Sequence, residues 1–171
     1  MLFKLLFPLV ALASCTFGQT DVSSLAGPFR LVTTASTTVP VVPTSYLNLY
    51  YNTLNSDSSG GLTLFSLPSA VDENETFRLV SGSLGTFYRP DDVPGSDGWN
   101  ASTPAANGYL TFNNQAVAHA GFDLVNGTFL AIHGVLANTW YLCTDSDGFE
   151  VLTYEATSAA CTFTYVAIYS T

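Results

Sequence analysis

The chain has 171 residues, of which only 4 are Lys or Arg against 13 Asp and Glu, for a formal net charge of −9. Phosphate contacts need clustered cations, so nucleic acid is not expected as a partner of this chain. Charged residues make up only 10% while Tyr, Phe, Thr, Ser, Asn and Gly abound, which describes a surface made polar by hydroxyls and amides.

The first element in chain order is an export signal over residues 1–18. Lys4 supplies the positive end, and Leu5 to Ala13 an apolar run too short to span a bilayer. Thr16-Phe17-Gly18 gives one cleavage frame, releasing Gln19. Ala11-Leu12-Ala13 gives another that retains Cys15, and Leu12 to Cys15 also matches a bacterial lipobox. The Gly18 frame leaves Cys143 and Cys161, an even number suited to an oxidising compartment. It also removes Lys4, the only lysine, so no amine side chain remains for Schiff-base chemistry and the charge becomes one unit more negative. Residues 19–171 are then expected to form a single extracellular all-β domain, since about 150 residues suit one core. No second apolar stretch reaches membrane-spanning length, and the end of the chain is too short and alternating for a lipid-anchor signal. No membrane insertion is therefore expected.

Alternation with period two dominates from there on, and no window carries a helical stripe. It predicts strands over 29–33, 46–51, 62–66, 76–80, 84–89, 109–112, 121–125, 129–133, 139–143, 149–154 and 162–168. Turn-forming clusters at 55–61, 89–95 and 145–148 separate them. The expected fold is all-β: a compact antiparallel barrel or sandwich of about ten short strands, with no substantial helix outside the signal peptide. An internal echo adds a β-trefoil as one topology to test. Phe77 to Leu84 and Phe122 to Phe129 share the pattern F-x-L-V-[SN]-G-[ST]-[LF], and Phe29 to Val32 repeats its first half. Phe and Leu of each copy share one strand face, and Ser-Gly or Asn-Gly signals a two-residue type I′ turn.

Few residues in this chain offer chemistry. Cys143 and Cys161 are expected to form a structural disulfide, as no C-x-x-C or cationic neighbour suggests a redox site. Asn74, Asn100 and Asn126 each open an Asn-x-Ser/Thr glycan acceptor, Asn126 on the expected hairpin turn and the others in polar loops. The two histidines, His119 and His133, lack a nucleophile elbow and a zinc-ligand spacing, so both are expected to be structural. Asp145, Asp147 and Glu150 imitate part of a calcium loop, but the twelfth position is Ala156, which leaves an acidic hairpin turn. Asp91, Asp92 and Asp97 form a second acidic loop. Trp99, Trp140, Tyr50, Tyr51 and Tyr88 are aromatics that could stack on sugar, a reading that stays open, although core packing explains most of them better. No catalytic, metal or cofactor-binding residue is expected, and no cofactor.

The second half of the chain runs Gly121-Phe-Asp-Leu-Val-Asn-Gly-Thr-Phe129, Trp140-Tyr-Leu-Cys143, Phe149-Glu-Val-Leu-Thr-Tyr154 and Cys161-Thr-Phe-Thr-Tyr-Val166. This resembles the fungal secreted cell-wall proteins related to the phialide protein of conidium-forming moulds. Thr76 to Leu84 matches an earlier strand of the same pattern, so the likeness covers roughly residues 60 to 168. An additional N-terminal cysteine carried by some of those proteins is absent here. The resemblance implies an extracellular or cell-wall location and a role in wall or conidial development, and it transfers no catalytic residue. The expectation is a secreted, N-glycosylated, non-enzymatic protein in contact with cell-wall polysaccharide. The competing expectations are a lectin-like or effector-type glycan-binding module and, more weakly, an acidic-pH hydrolase using carboxylates.

Overall fold

Strict apolar–polar alternation can bury one side of an extended chain and leave the other to water or to a second layer. The computed structural model describes residues 21–52, 61–69, 76–87, 99–102, 104–113 and 121–170, and there the alternation forms strands throughout. They are β1 (Asp21–Val22), β2 (Leu25–Thr34), β3 (Ser45–Asn52), β4 (Gly61–Leu67), β5 (Phe77–Val80), β6 (Ser83–Thr86) and β7 (Asn100–Ala101). There follow β8 (Thr111–Asn113), β9 (Phe122–Val125), β10 (Phe129–Ile132), β11 (Trp140–Thr144), β12 (Glu150–Tyr154) and β13 (Cys161–Tyr169). No helix occurs among the described residues, so none is long and apolar enough to cross a membrane.

Each strand expected from the sequence is present, with ends moved by a few residues. The described residues hold thirteen strands rather than about ten, because the two-residue β1 and β7 are too short to show a period. The segment expected to be a strand from Tyr109 splits instead. Tyr109 makes an isolated bridge to Thr153, and β8 proper begins at Thr111. The leader with Lys4 and Cys15, the glycan acceptor Asn74, His119, the acidic loop of Asp91, Asp92 and Asp97, and Tyr88 lie outside the described residues.

All thirteen strands join one antiparallel sheet. Two extra pairings fold that sheet back on itself. With β13 bonded to β2, the neighbours β2–β3–β4–β12–β11–β13 form a closed circuit of six strands. With β4 bonded to β8, the shorter strands β5 to β8 return to the same framework. The inward-facing residues of the circuit form one core. Phe29, Leu31, Leu47, Leu49, Leu62, Leu64, Trp140, Leu152 and Val166 are buried there, together with Phe77, Leu79, Phe122 and Leu124 from the hairpins. Each such side chain removed from water contributes about 1.5–3 kcal/mol.

The echoed motif heads a hairpin in two of three places, with the expected two-residue turn in one of them. Ser81 and Gly82, both at positive φ (49° and 77°), join β5 to β6 with Val80 opposite Ser83, a two-residue turn. Asn126 and Gly127 also take positive φ (54° and 66°), but the register places Phe129 opposite Val125. The expected two-residue link is therefore one residue longer. Thr128 is the extra residue, and its carbonyl accepts the Ile168 amide of β13 at 2.9 Å. The copy at Phe29 does not head a hairpin. Val32 is followed by β-branched Thr33 and Thr34 instead of a glycine, so the strand runs on and pairs Phe29 with Phe77 of the second copy. The three copies thus occupy unlike places in the sheet.

Two buried polar groups show how tightly this core is balanced. Trp140 is 1% exposed and its Nε1 donates to the Leu130 carbonyl at 2.9 Å. Thr63 is fully buried, yet its Oγ1 has no hydrogen-bond partner among the described residues. Trp140→Phe should lower stability by about 1–3 kcal/mol because it strands that carbonyl. Thr63→Val, nearly isosteric, should instead raise stability by about 1 kcal/mol. Urea denaturation of the two variants beside the parent reads both signs; equal losses would show that neither group is as placed here.

Candidate functional site

Strands β11 and β13 carry the two cysteines at registered positions, Cys143 opposite Cys161. Their Cα atoms are 4.3 Å apart and the disulfide is formed, closing a separation of 18 residues. Alternation turns both cysteines to the outer side of the sheet, away from the core residues Leu142 and Val166. A cleft of about 200 Å³ lies beside the bridge, lined by Asn107, Tyr109, Thr153, Ala156 and Ser158 among others. Its best acceptor is already engaged: Asn107 Oδ1 takes hydrogen bonds from the Thr157 amide at 2.8 Å and the Thr157 hydroxyl at 3.0 Å.

A larger cup of about 350 Å³ opens at one end of the six-strand circuit. Thr44, Ser45, Ser66, Glu150 and Thr162 line it with polar groups, and Leu67, Pro68 and Leu142 with apolar ones. Its origin is legible strand by strand. The inward track of β2 reads Phe29, Leu31, Thr33; of β3, Ser45, Leu47, Leu49; of β4, Leu62, Leu64, Ser66. Those of β11, β12 and β13 read Trp140, Leu142, Thr144; Glu150, Leu152, Tyr154; and Thr162, Thr164, Val166, Ile168. Because neighbours run antiparallel, all six polar ends fall at the same end of the circuit. There Thr33 Oγ1 and Ser45 Oγ are 2.6 Å apart, and Ser45 Oγ and Ser66 Oγ 2.7 Å, a chain of three hydroxyls. Phe65 opposite Val151 sets the β4–β12 register, which brings Ser66 and Glu150 to adjacent places on the rim.

On the outer side the aromatics gather in two groups. Phe65 packs edge-on against Tyr50 and Phe149, with ring centroids at 4.9 and 5.4 Å, and Tyr50 and Phe149 are 56% and 44% exposed. Tyr141, Phe163, Tyr165 and Phe129 form a ladder across β11, β13 and β10, again edge-to-face. Trp99 and Trp140, by contrast, belong to the core, as the core-packing account of them requires.

The other sequence candidates are placed as follows. Asn126 stands exposed at the β9–β10 turn. Asn100 is not in a loop: it is half-buried in β7, paired with Gly85 on one side and Asn113 on the other. The flanking Trp99 and Ala101 have the alternation of a strand and enter the core, and that drew the polar Asn100 into a ladder. His133 is exposed at positive φ (51°) in the turn between β10 and Val135. Asp145 makes the acidic hairpin turn: its Oδ1 accepts the amides of Asp147 at 3.0 Å and Phe149 at 2.9 Å. Asp123 Oδ2 accepts the Gly134 amide at 3.1 Å. Neither of the two clefts is lined by a pair of carboxylates. Among the described residues no group of three or more His, Cys, Asp or Glu could hold a metal ion.

Among the described residues, Tyr154 is the one group whose titration the fold clearly displaces. Burial first, and then Glu155, whose carboxylate accepts the phenol hydrogen at 2.9 Å, hold it above its ordinary value of 10.0. The fold thus favours the neutral phenol. Its contribution is complete below the unfolded value and is lost as pH rises through the higher folded-state value.

Sequence reasoning found the disulfide and the acidic turn and missed the cup. The available signal was a polar residue in the apolar phase at the same end of six strands, which only the pairing order turns into a place. Comparison with protein-family models, with curated proteins and with solved structures finds no match for this chain.

Two outcomes check this description. Cys143→Ala with Cys161→Ala should cost about 3 kcal/mol, a fall of roughly 10 °C in melting temperature by calorimetry; an unchanged melting temperature would show that strand pairing alone fixes the two chains. In an alkaline absorbance titration, Tyr154→Phe should remove a component ionising above the ordinary tyrosine range, and Glu155→Gln should move that component down. A Glu155→Gln protein with the same titration curve would rule out the carboxylate as a cause.

Proposed function

We propose that the protein is a secreted, N-glycosylated, non-enzymatic component of a fungal cell wall or its surroundings, with a structural or developmental role in the wall or in conidium formation. The observation that carries this reading is the Cys143–Cys161 disulfide, because such bonds persist in oxidising compartments and are rare where thiols are kept reduced. The export signal read over residues 1–18 supports the same compartment. So does Asn126, which stands exposed at a turn within an acceptor triplet. The resemblance to secreted fungal wall proteins supplies the wall itself.

In this reading the protein acts by lasting. A continuous ladder, a covalent cross-link and a surface of hydroxyls, amides and aromatic rings suit it to contact with polysaccharide where ionic strength and pH vary, since only 10% of its residues are charged.

Expression of the full chain with a carboxyl-terminal tag in a filamentous fungus, followed by fractionation of medium, wall and cells, tests it. The tagged chain should appear in the medium and wall fractions, and its gel mobility should change on enzymatic removal of N-glycans. Asn126→Gln should abolish one glycan's worth of that change. A chain retained inside the cells with alkylatable thiols and no glycan would sink the proposal.

A further inference from the structure

We infer that the open end of the six-strand circuit binds a neutral oligosaccharide, held between the Ser66 hydroxyl as donor and the Glu150 carboxylate as acceptor. This deepens the extracellular reading and rests on it only in that polysaccharide is what a wall protein meets.

The direction of the hydroxyl chain follows from burial. Each hydroxyl has one proton, so the contacts Thr33–Ser45–Ser66 use two of three. If the chain donated from Ser66 toward Thr33, the unused proton would sit on Thr33, 1% exposed and with no other side-chain partner among the described residues, and if Thr33 and Ser66 both donated to Ser45 it would sit on Ser45, 8% exposed. A stranded buried donor costs about 1–3 kcal/mol. Running from Thr33 through Ser45 to Ser66 avoids that cost and delivers the free O–H at half-buried Ser66, on the wall of the cup. Donation along such a chain polarises each member and strengthens the last donor.

Glu150 provides the complement. It lies beside Ser66 across the β4–β12 register, is exposed, and its carboxylate has no hydrogen-bond or ion-pair partner among the described residues. A carboxylate with both oxygens open accepts two neighbouring hydroxyls at once, as a sugar ring presents them. Thr44 and Thr162 add hydroxyls that donate or accept, and Leu67, Pro68 and Leu142 give an apolar lining for the C–H face of a ring. The volume of about 350 Å³ lies at the lower end of the range of ligand pockets, roughly 300–1,000 Å³, which suits a few atoms' breadth of a chain more than a large cofactor. The ligand's charge is set by the protein's. With a net charge of −9 and a carboxylate on the rim, an anionic sugar is repelled.

The test is amide chemical-shift mapping on the secreted full chain with laminari-, cello-, chito- and manno-oligosaccharides, and with an oligogalacturonide as the anionic member. At least one neutral sugar should shift Ser45, Ser66, Glu150 and Thr162 saturably, and the oligogalacturonide should not. Glu150→Ala should weaken that sugar about tenfold or more, and Ser66→Ala about fivefold. If the Glu150 variant does not fold, Thr162→Val, at an exposed position, carries the same comparison with a smaller loss of about threefold or more. Silence of those amides with every neutral sugar would overturn the assignment. So would preference for the anionic sugar, or binding that survives Glu150→Ala and is lost in Phe149→Ala, which would move the site to the outer aromatic face. A secreted, glycosylated chain with an unresponsive cup sinks only this inference; a responsive cup on a chain kept inside the cell sinks only the extracellular reading.

Discussion

The rest of the structure hangs on the pairing of β2 with β13. Five registered pairs, from Arg30 with Tyr169 to Thr34 with Tyr165, join the start of the described chain to its end. Thr164 Oγ1 adds a contact to the Thr34 carbonyl across 130 positions. Without this seam the circuit opens, Leu31 and Val166 lose their facing residues, and two long sheet edges are left to seek other partners. Contacts so distant in sequence repay their ordering entropy only after everything between them is in place, so the seam is the cooperative term of the fold.

Closing the circuit also fixes what each end of it can be. At one end the inward tracks finish in Phe29, Leu49, Leu62, Trp140, Tyr154 and Ile168, and the hairpins β5–β6 and β9–β10 add Phe77, Leu79, Phe122 and Leu124 to the same core. The hairpins are tied in by their turns. The Gly82 carbonyl accepts the amides of Gly121 and Phe122, both at 3.0 Å, and the Ser81 and Gly82 amides donate to Ser24 Oγ and the Ser23 carbonyl. Gly82 therefore does more than relieve a positive φ: it is the knot between the chain's beginning and its middle. At the other end the tracks finish in Thr33, Ser45, Ser66, Thr144, Glu150 and Thr162, and no hairpin among the described residues supplies apolar cover. Hydroxyls and one carboxylate can face water where leucines could not, so that end stays open.

How much of this could be read beforehand follows from the range of each signal. Period two is a local property, and it placed eleven strands, both faces of Phe77 to Val80 and Phe122 to Val125, and the Ser81-Gly82 turn correctly. Asn126-Gly127 gave the turn but not its length, because Thr128 is drawn out of the hairpin by the Ile168 amide of a strand 40 residues away. Asn100 looked like loop because a strand of two residues, Asn100 and Ala101, is too short to carry a period. The cup was out of reach for the same reason on a larger scale. A serine ending β4 and a glutamate beginning β12 are unremarkable singly, and only the register of Phe65 with Val151 makes them neighbours.

Alternation also assigns the two sides of a strand different tasks at successive residues. Cys161 faces outward and is bonded to Cys143; Thr162, the next residue, faces the cup. Phe149 packs outward on Phe65, and Glu150, the next residue, stands on the cup's rim. The outward contacts thus fix the backbone from which the inward polar groups project, so the cross-link and the ring cluster hold the cup's geometry without occupying it. A surface that must meet a flexible polysaccharide gains most from such fixed groups, because side chains ordered in advance lose little entropy when the sugar arrives. On the proposed reading the disulfide thereby belongs to the sugar-binding end of the molecule, although neither sulfur faces the cup.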